Sequence, residues 1–295
     1  MNMSGRARYH TGMNRRLILA GIAVLLAVLN FGVWYAVLEE RQGSLTVAFL
    51  DVGQGDAIFI EGPTGIQMLI DGGRDRAVLR ELGKRMSPFD RSIDIVVETH
   101  PDADHIGGLT SVFERYAIGK FMGPGIGNDT NVTDALIAAV GKETGVQQVL
   151  ARRGMRLDLG GGAYADILYP DKDVSMLETN DGSIVMRVVY GETSFMLGGD
   201  APSAVEDAIA YTYGSTSKSD VLKAGHHGSR YSTSDYWLTV TDPGLVVISA
   251  GEGNSYGHPH QEVIDRAAAS GAAIRSTIDE GAIVLMSDGV SIKNR

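Results

Sequence analysis

The chain has no cysteine among its 295 residues. This excludes disulfides and thiolate metal sites, so any metal must rest on histidine, carboxylate or backbone oxygen. Histidine is also scarce, and the seven are His10, His100, His105, His226, His227, His258 and His260. None falls between His105 and His226. Positive charge is in deficit, with 26 Lys and Arg against 36 Asp and Glu and a formal net charge of -10. That argues against a broad basic surface for nucleic acid. It leaves room for a nuclease whose metals supply positive charge locally. No long low-complexity tract and no repeat of fixed period occurs.

A hydrophobic content of 44% suits a globular protein with a sizeable core, and 38 glycines imply tight turns and close backbone approaches. One apolar run stands apart. Leu17 to Leu38 is interrupted only by Asn30, about 22 residues. At about 1.5 Å per residue this crosses a bilayer core of about 30 Å. Arg6, Arg8, Arg15 and Arg16 precede it, and Glu39 and Glu40 follow. The positive-inside rule makes residues 1–16 a short cytoplasmic tail and 17–38 a single-pass anchor in the cytoplasmic membrane. Residues 45–295 then form one domain outside, periplasmic or extracellular. Trp34 and Tyr35 suit an interfacial belt. A cleaved signal sequence has a shorter apolar region and a small-x-small site, which does not follow here; a buried soluble helix is the third reading.

The remainder reads as strands with interspersed helices. Leu45–Leu50, Ala57–Ile60, Ile66–Ile70 and Ile93–Glu98 are strands, the middle two joined by Glu61-Gly62-Pro63-Thr64-Gly65 as a hairpin. Ala77–Met86, Ile106–Tyr116 and Thr133–Lys142 are helices. In the second half, Ala165–Tyr169, Ser183–Tyr190, Thr193–Leu197, Asp220–Lys223, Leu245–Ser249, Ala273–Ser276, Ala282–Met286 and Val290–Ile292 are strands. Ser203–Tyr211 and Gln261–Ala269 are helices. Two such halves predict two sheets packed face to face with helices outside, an α/β fold.

The strand Ile93–Glu98 runs directly into Thr99-His100-Pro101-Asp102-Ala103-Asp104-His105-Ile106-Gly107-Gly108. Two imidazoles and two carboxylates so close together can ligate more than one divalent metal. Helix capping accounts for Asp104 alone. This segment resembles the His-x-His-x-Asp-His pattern of metallo-β-lactamase-fold hydrolases, with Asp102 in place of the middle histidine. In that form it is similar to the hydrolase domain of the ComEC competence proteins. Phe49-Leu50-Asp51-Val52-Gly53-Gln54-Gly55-Asp56-Ala57, Leu69-Ile70-Asp71-Gly72-Gly73, Leu197-Gly198-Gly199-Asp200, Leu222-Lys223-Ala224-Gly225-His226-His227-Gly228-Ser229 and Tyr256-Gly257-His258-Pro259-His260 resemble further motifs of that group. Taken singly, Asp200 reads as a turn residue and His226-His227 as a surface pair; their order along one chain favours function.

The resemblance implies a metallo-β-lactamase αββα sandwich behind one transmembrane helix. It implies two divalent metal ions, Zn2+ or Mn2+. His100, Asp102 and bridging Asp200 would hold one. Asp104, His105, Asp200 and His226 would hold the other. Asp71 would orient ligands, with Gln54 and Asp56 at the rim. The family's next ligand histidine corresponds here to Asn180-Asp181-Gly182-Ser183, which makes the first site oxygen-rich and manganese a candidate beside zinc. Whether Asn180 or Asp181 ligates is open, as are the roles of His258 and His260. Asp104 would also orient the nucleophile, while His227, Lys223 or Ser229 would contact a phosphate oxygen or protonate the leaving group.

The expected activity is phosphodiester hydrolysis outside the cytoplasmic membrane, with nucleic acid the leading substrate class: single-stranded DNA or another phosphodiester. Hydrolysis of a small ester, lactam or phosphorylated envelope component is the rival within the class. A non-catalytic anchored binding module is the rival outside it. No protein partner is indicated. The topology yields a first prediction: protease added to intact spheroplasts should digest residues 45–295. A domain shielded until lysis would contradict the outward orientation.

Overall fold

The computed structural model describes residues 15–41 and 43–295. The expected cytoplasmic tail lies outside the described residues except for Arg15 and Arg16. The chain divides into two units, Met1–Gln42 and Gly43–Arg295.

In the first unit α1 spans Arg15–Arg41. Its Arg15–Tyr35 stretch has a mean hydropathy of 2.4 and no buried residue, so length and composition suffice to cross a membrane. The single amide in the apolar run is satisfied within the helix: Asn30 Nδ2 donates to Leu26 O at 3.1 Å.

The second unit holds two sheets. The first has eight strands, β1 (Leu45–Phe49), β2 (Ile58–Glu61), β3 (Gln67–Ile70), β4 (Ser92–Val97), β5 (Ala117–Gly123), β6 (Gln147–Leu150), β14 (Ile283–Ser287) and β15 (Ile292–Asn294), in the order β15-β14-β1-β2-β3-β4-β5-β6. The second has seven, β7 (Arg156–Gly160), β8 (Ala163–Tyr169), β9 (Val185–Tyr190), β10 (Thr193–Leu197), β11 (Val221–Lys223), β12 (Leu245–Ile248) and β13 (Ala273–Ser276), in the order β13-β12-β11-β10-β9-β8-β7. Period-two alternation divides the central strands between two cores. Val47, Phe49, Ile58, Ile60, Met68 and Ile70 face the second sheet, where Met186, Val188, Phe195 and Leu197 meet them. Their alternates Ala48, Phe59 and Leu69 face outward against Val78 and Leu82 of α2 (Ala77–Gly83), Leu109 and Val112 of α4 (Leu109–Arg115), and Leu136 of α5 (Asn131–Lys142). The second sheet buries its outer face under α6 (Ser203–Tyr213), α7 (Asp235–Thr241) and α8 (Gln261–Ala269), with Trp237 fully enclosed. The result is the expected αββα sandwich.

Differences from the sequence reading have local causes. The helix expected over Ile106–Tyr116 is two, α3 (Ala103–Ile106) and α4. Between them the Gly108 N–H leaves the helical path and donates to Gly73 O at 2.9 Å. A Cβ at Gly108 would stand 2.1 Å from Gly72 O, so only glycine permits this approach. Strands β5, β6 and β7 are additions to the sequence reading. β5 carries two glycines and a lysine, and the edge strand β6 exposes both glutamines, so neither shows a clean alternation. The last strand lies at Ile292–Asn294, two residues beyond the expected start at Val290.

The strands deliver their C-terminal ends to one edge of the sandwich. Asp71 follows β3, the His/Asp segment follows β4, Asp200 follows β10, and the double histidine follows β11. Helix α6 secures the loop beyond those histidines. Buried Glu206 accepts the Ser234 N–H at 3.2 Å, and Ser232 Oγ donates to Ala201 O at 2.9 Å. Burial raises the Glu206 carboxyl to about 7 from an ordinary 4.5, against the backbone donors that pull it down. The folded state therefore holds this proton longer than the unfolded chain. The stability it contributes is full below pH 4.5 and is lost as pH rises through about 7. Relative to wild type, Glu206→Gln should gain about 2 to 3 kcal/mol between pH 5 and pH 8 in urea unfolding. A constant difference between the two proteins across that range would contradict the assignment.

Candidate metal centre

The centre is organised from Asp71, a fully buried carboxylate whose backbone takes the left-handed conformation, φ 57°. Its Oδ1 accepts the Thr99 N–H at 2.8 Å. Its Oδ2 accepts the Thr99 hydroxyl at 2.6 Å and lies 2.8 Å from His105 Nδ1. Because the Thr99 hydroxyl donates to Asp71, its oxygen is free to accept from His100 Nδ1, 3.1 Å away. His227 Nδ1 lies 3.0 Å from Ser249 O. A carboxylate, a hydroxyl oxygen and a carbonyl thus each accept an Nδ1 proton. That leaves the Nε2 lone pairs of His100, His105 and His227 directed to the centre.

Those lone pairs converge on one atom. Asp200 Oδ2 lies 3.3 Å from His105 Nε2, 3.3 Å from His227 Nε2, 3.6 Å from His226 Nε2 and 3.9 Å from His100 Nε2. His105 Nε2 and His227 Nε2 are 3.3 Å apart, and Asp104 Oδ2 is 3.5 Å from His227 Nε2. Ligand atoms around a tetrahedral ion at about 2.0 to 2.2 Å stand roughly 3.3 to 3.5 Å from one another. His105, Asp200 and His227 meet that spacing with one another, and Asp104 meets it with His227. His100 Nε2 is also 3.7 Å from Asp102 Oδ2. His100 Nε2 and Asp200 Oδ1 are buried without a hydrogen-bond partner. Such atoms are costly to bury unless a ligand takes them, so the donor set fits divalent metal.

The two adjacent histidines divide between two positions. His227 is 1% exposed and reaches His105 and Asp104, whereas the His226 side chain is 29% exposed and meets Asp200 from the solvent side. The expectation has His226 as the ligand and His227 toward substrate; the geometry sets His227 deeper. Both have left-handed backbones, φ 46° and 55°. This costs about 1 to 3 kcal/mol each and is typical of sites where strain fixes a side chain.

Lys223 and Asp56 also lie deeper than expected. Lys223 Nζ forms a buried ion pair with Asp56 Oδ2, donates to Gly199 O at 3.1 Å and lies 3.8 Å from Asp200 Oδ1. Enclosed in this way, it cannot reach a substrate phosphate. Burial alone would raise the Asp56 carboxyl, but Lys223 and His227 outweigh it and hold it at about 2. Asp56, His105, Asp200 and His227 each offer an atom within 4.8 Å of the others. Asp56, however, meets the Nδ1 side of His227, at 3.4 Å, so it stands behind that ring and not at the rim. Its loop is seated where a Cβ on Gly55 would lie 2.0 Å from Asp104 O. Gln54 Oε1 accepts the Gly251 N–H at 3.2 Å.

The other expected residues are peripheral. Asn180 Oδ1 is buried without a partner, and Asp181 offers its backbone carbonyl to the Tyr169 hydroxyl at 2.8 Å. Ser229 Oγ turns into its own loop toward Tyr231 N, 3.4 Å away. The His258 ring lies 5.4 Å from that of His226, and His260 Nδ1 accepts the Arg230 N–H at 3.2 Å. Two contributors are absent from the expected set. Asn128 Nδ2 donates to Asp102 Oδ1 at 3.1 Å, and Ser183 Oγ accepts the Asp200 N–H at 3.3 Å. Ser183 closes the Asn180-Asp181-Gly182-Ser183 stretch, a usable signal; Asn128 has none in the sequence.

Comparison with known proteins agrees with this geometry. The sequence model of the Metallo-beta-lactamase superfamily matches residues 50–251. The chain is 29% identical over 235 residues to ComE operon protein 3 of Bacillus subtilis, covering 74% of this chain and 30% of that protein. It is 31% identical over 238 residues to Recombination protein 2 of Haemophilus influenzae, covering 79% and 28%. It is 28% identical over 284 residues to Competence protein ComA of Neisseria gonorrhoeae, covering 90% and 38%. It therefore spans about a third of the length of these relatives. Among solved structures, the diiron β-hydroxylase CmlA of Streptomyces venezuelae shares the fold at TM-score 0.54 and 14% identity, over 83% of this chain and 54% of that one.

The centre generates a prediction about Asp71, which touches no substrate-facing atom. Asp71→Asn should weaken metal binding about 10- to 100-fold by loosening His100 and His105 together. Chelator competition would measure the loss and circular dichroism would check the fold. Unchanged affinity in a folded variant would refute the orienting role.

Proposed function

The chain belongs to the metallo-β-lactamase superfamily, and on that footing we propose that it is a binuclear metal-dependent phosphodiesterase acting on single-stranded DNA. The observation that carries the reading is the convergence of four imidazoles on Asp200 Oδ2, with Asp102 beside His100 and Asp104 beside His227. His100, Asp102 and Asp200 would hold one ion. Asp104, His105, Asp200 and His227 would hold the second, with His226 at the mouth. Two divalent ions bound there would activate water for attack and neutralise charge developing on a phosphoryl oxygen. The carboxylate-rich donor set around His100 suits a hard ion and supports Mn2+ beside Zn2+.

The chain's own groups have distinct tasks in this reading. Partial burial raises the Asp104 carboxyl, but His227 and His105 outweigh it and hold it below the usual range. It is therefore an ionised acceptor at neutral pH, placed to orient a nucleophile as well as to ligate. His226, partly open to solvent, is placed to contact a substrate oxygen or protonate the leaving group. Lys223 acts through Asp56 and Asp200 as a positioning residue. The names of the relatives, which refer to competence and recombination, support DNA as the substrate class. The apolar helix is a candidate membrane anchor, and the arginines before it support a domain facing outward.

The test uses the full chain in detergent with a panel of metals and substrates. Single-stranded DNA should be cleaved with added Mn2+ or Zn2+, and EDTA should abolish cleavage reversibly. Asp104→Asn and Asp200→Asn should each lower kcat at least about 100-fold. Turnover of only nitrocefin or a phosphocholine ester would replace this reading with the small-substrate hydrolase. No metal by elemental analysis, with both variants functionally intact, would indicate a non-catalytic binding module.

A further inference from the structure

The catalytic reading leaves without a task the rings that continue outward from its histidines, His258 and Tyr256. The buried pair His105 and His227 have ring centroids 5.1 Å apart. His258 lies 6.2 Å beyond His227 and 5.4 Å from His226. Tyr256 then stacks on His258 at 5.7 Å, with an interplanar angle of 22°. His258 is 8% exposed and Tyr256 is 56% exposed. The rings thus lead from the centre to an open aromatic face at its mouth.

This face is fixed before any ligand arrives. The Asn254 carboxamide serves as the core of its loop. Its Oδ1 accepts the N–H groups of Tyr256 and His258 at 3.1 and 3.0 Å. Its Nδ2 donates to Gly251 O and His258 O at 2.9 and 2.6 Å. Gly251 is pinned in turn to Gln54, from the loop seated against Asp104. A loop backbone fixed in this way leaves only the Tyr256 side chain to be ordered on binding. Arg230 lies on the adjoining loop, joined through its N–H to His260, whose ring is 4.9 Å from that of His258. The Arg230 guanidinium pairs with Glu262 at 3.4 Å, so the site rests on the flat ring and its rigid loop, the stacking element of a single-strand site.

We propose that Tyr256, backed by His258, is a stacking platform for the nucleobase beside the phosphate held at the metal centre. The proposal rests on the phosphodiesterase reading and deepens it, since it assigns the substrate class to a surface of this chain. A base is joined to its phosphate through one sugar, so a platform two ring contacts from His226, one edge-to-face at 5.4 Å and one stacked at 5.7 Å, lies where that base arrives. Every base offers a π face, so this platform recognises a strand without selecting its sequence.

Binding separates the proposal from the catalytic reading. The full chain carrying Asp104→Asn, in detergent with Mn2+, is titrated into a fluorescent single-stranded oligonucleotide and followed by anisotropy. Adding Tyr256→Leu should weaken binding about tenfold, while Tyr256→Phe, which keeps the ring, should leave it unchanged. An abasic oligonucleotide should bind weakly, and equally with or without the Tyr256→Leu change. Undiminished affinity with Tyr256→Leu overturns the platform, as does an equal loss on ordinary and abasic strands, which would mark a structural role. If binding depends on Tyr256 but the parent chain cleaves no DNA, the platform stands and the nuclease reading falls. If no strand binds at all, both fall.

Discussion

The domain depends on how it neutralises a carboxylate it has buried. Asp200 is 3% exposed at the end of a β-strand, where an unpaired charge costs several kcal/mol. Lys223 approaches one oxygen and imidazoles surround the other. The lysine is itself shared with Asp56, which comes from the opening loop of the domain. Elements distant in sequence are therefore held together by charges that would be unfavourable apart. The same requirement explains why Asp71 is buried under Thr99 and His105. Asp71 fixes His105 directly and His100 through the Thr99 hydroxyl, and each fixed imidazole turns an Nε2 lone pair inward.

Backbone strain completes this arrangement. Asp71, His226 and His227 all hold left-handed conformations that their side chains disfavour. The neighbouring backbone maintains them. The His226 N–H donates to Gly199 O at 3.2 Å, and the Ser229 N–H to His226 O at 2.8 Å. His227 is braced at Ser249 O. The sheets supply this rigidity, since every ligand-bearing loop starts from a strand whose alternate residues lie in two cores. A loop without such flanking strands would relax and lose the convergence on Asp200.

What is legible in the sequence follows from the same physics. An apolar strand ending in clustered His and Asp is a local signal, so the segment after β4 and the family resemblance are readable, and the superfamily match agrees. The sandwich is readable where alternation runs long; β5 and β6, with glycines or exposed glutamines, and β7, whose alternation is cut short by Gly160-Gly161-Gly162, are not. Depth is not readable. His226 and His227 are neighbours with the same chemistry, and only two unusual backbone conformations set one inside the other. Lys223 resembles a solvated strand end because its partner Asp56 lies far away in sequence. Asn128 reaches Asp102 from a loop with no motif.

Charge balance limits how the oxygen-rich donor set could serve the proposed substrate. Asp71, Asp102, Asp104 and Asp200 bring four negative charges to the centre, while Asp56 and Lys223 cancel one another behind it. Two divalent ions held there would bring four positive charges, and neutral imidazoles add none. The loaded centre would then be close to neutral in a cleft with low-dielectric walls, where charge interacts strongly. In the proposed reaction an anionic phosphodiester would be attracted by the open coordination positions of the ions and not by a net positive field, which a chain of net charge -10 does not supply. With imidazole in place of Asp102 the same centre would keep one positive charge, so this carboxylate limits the charge of the centre as it hardens the metal site.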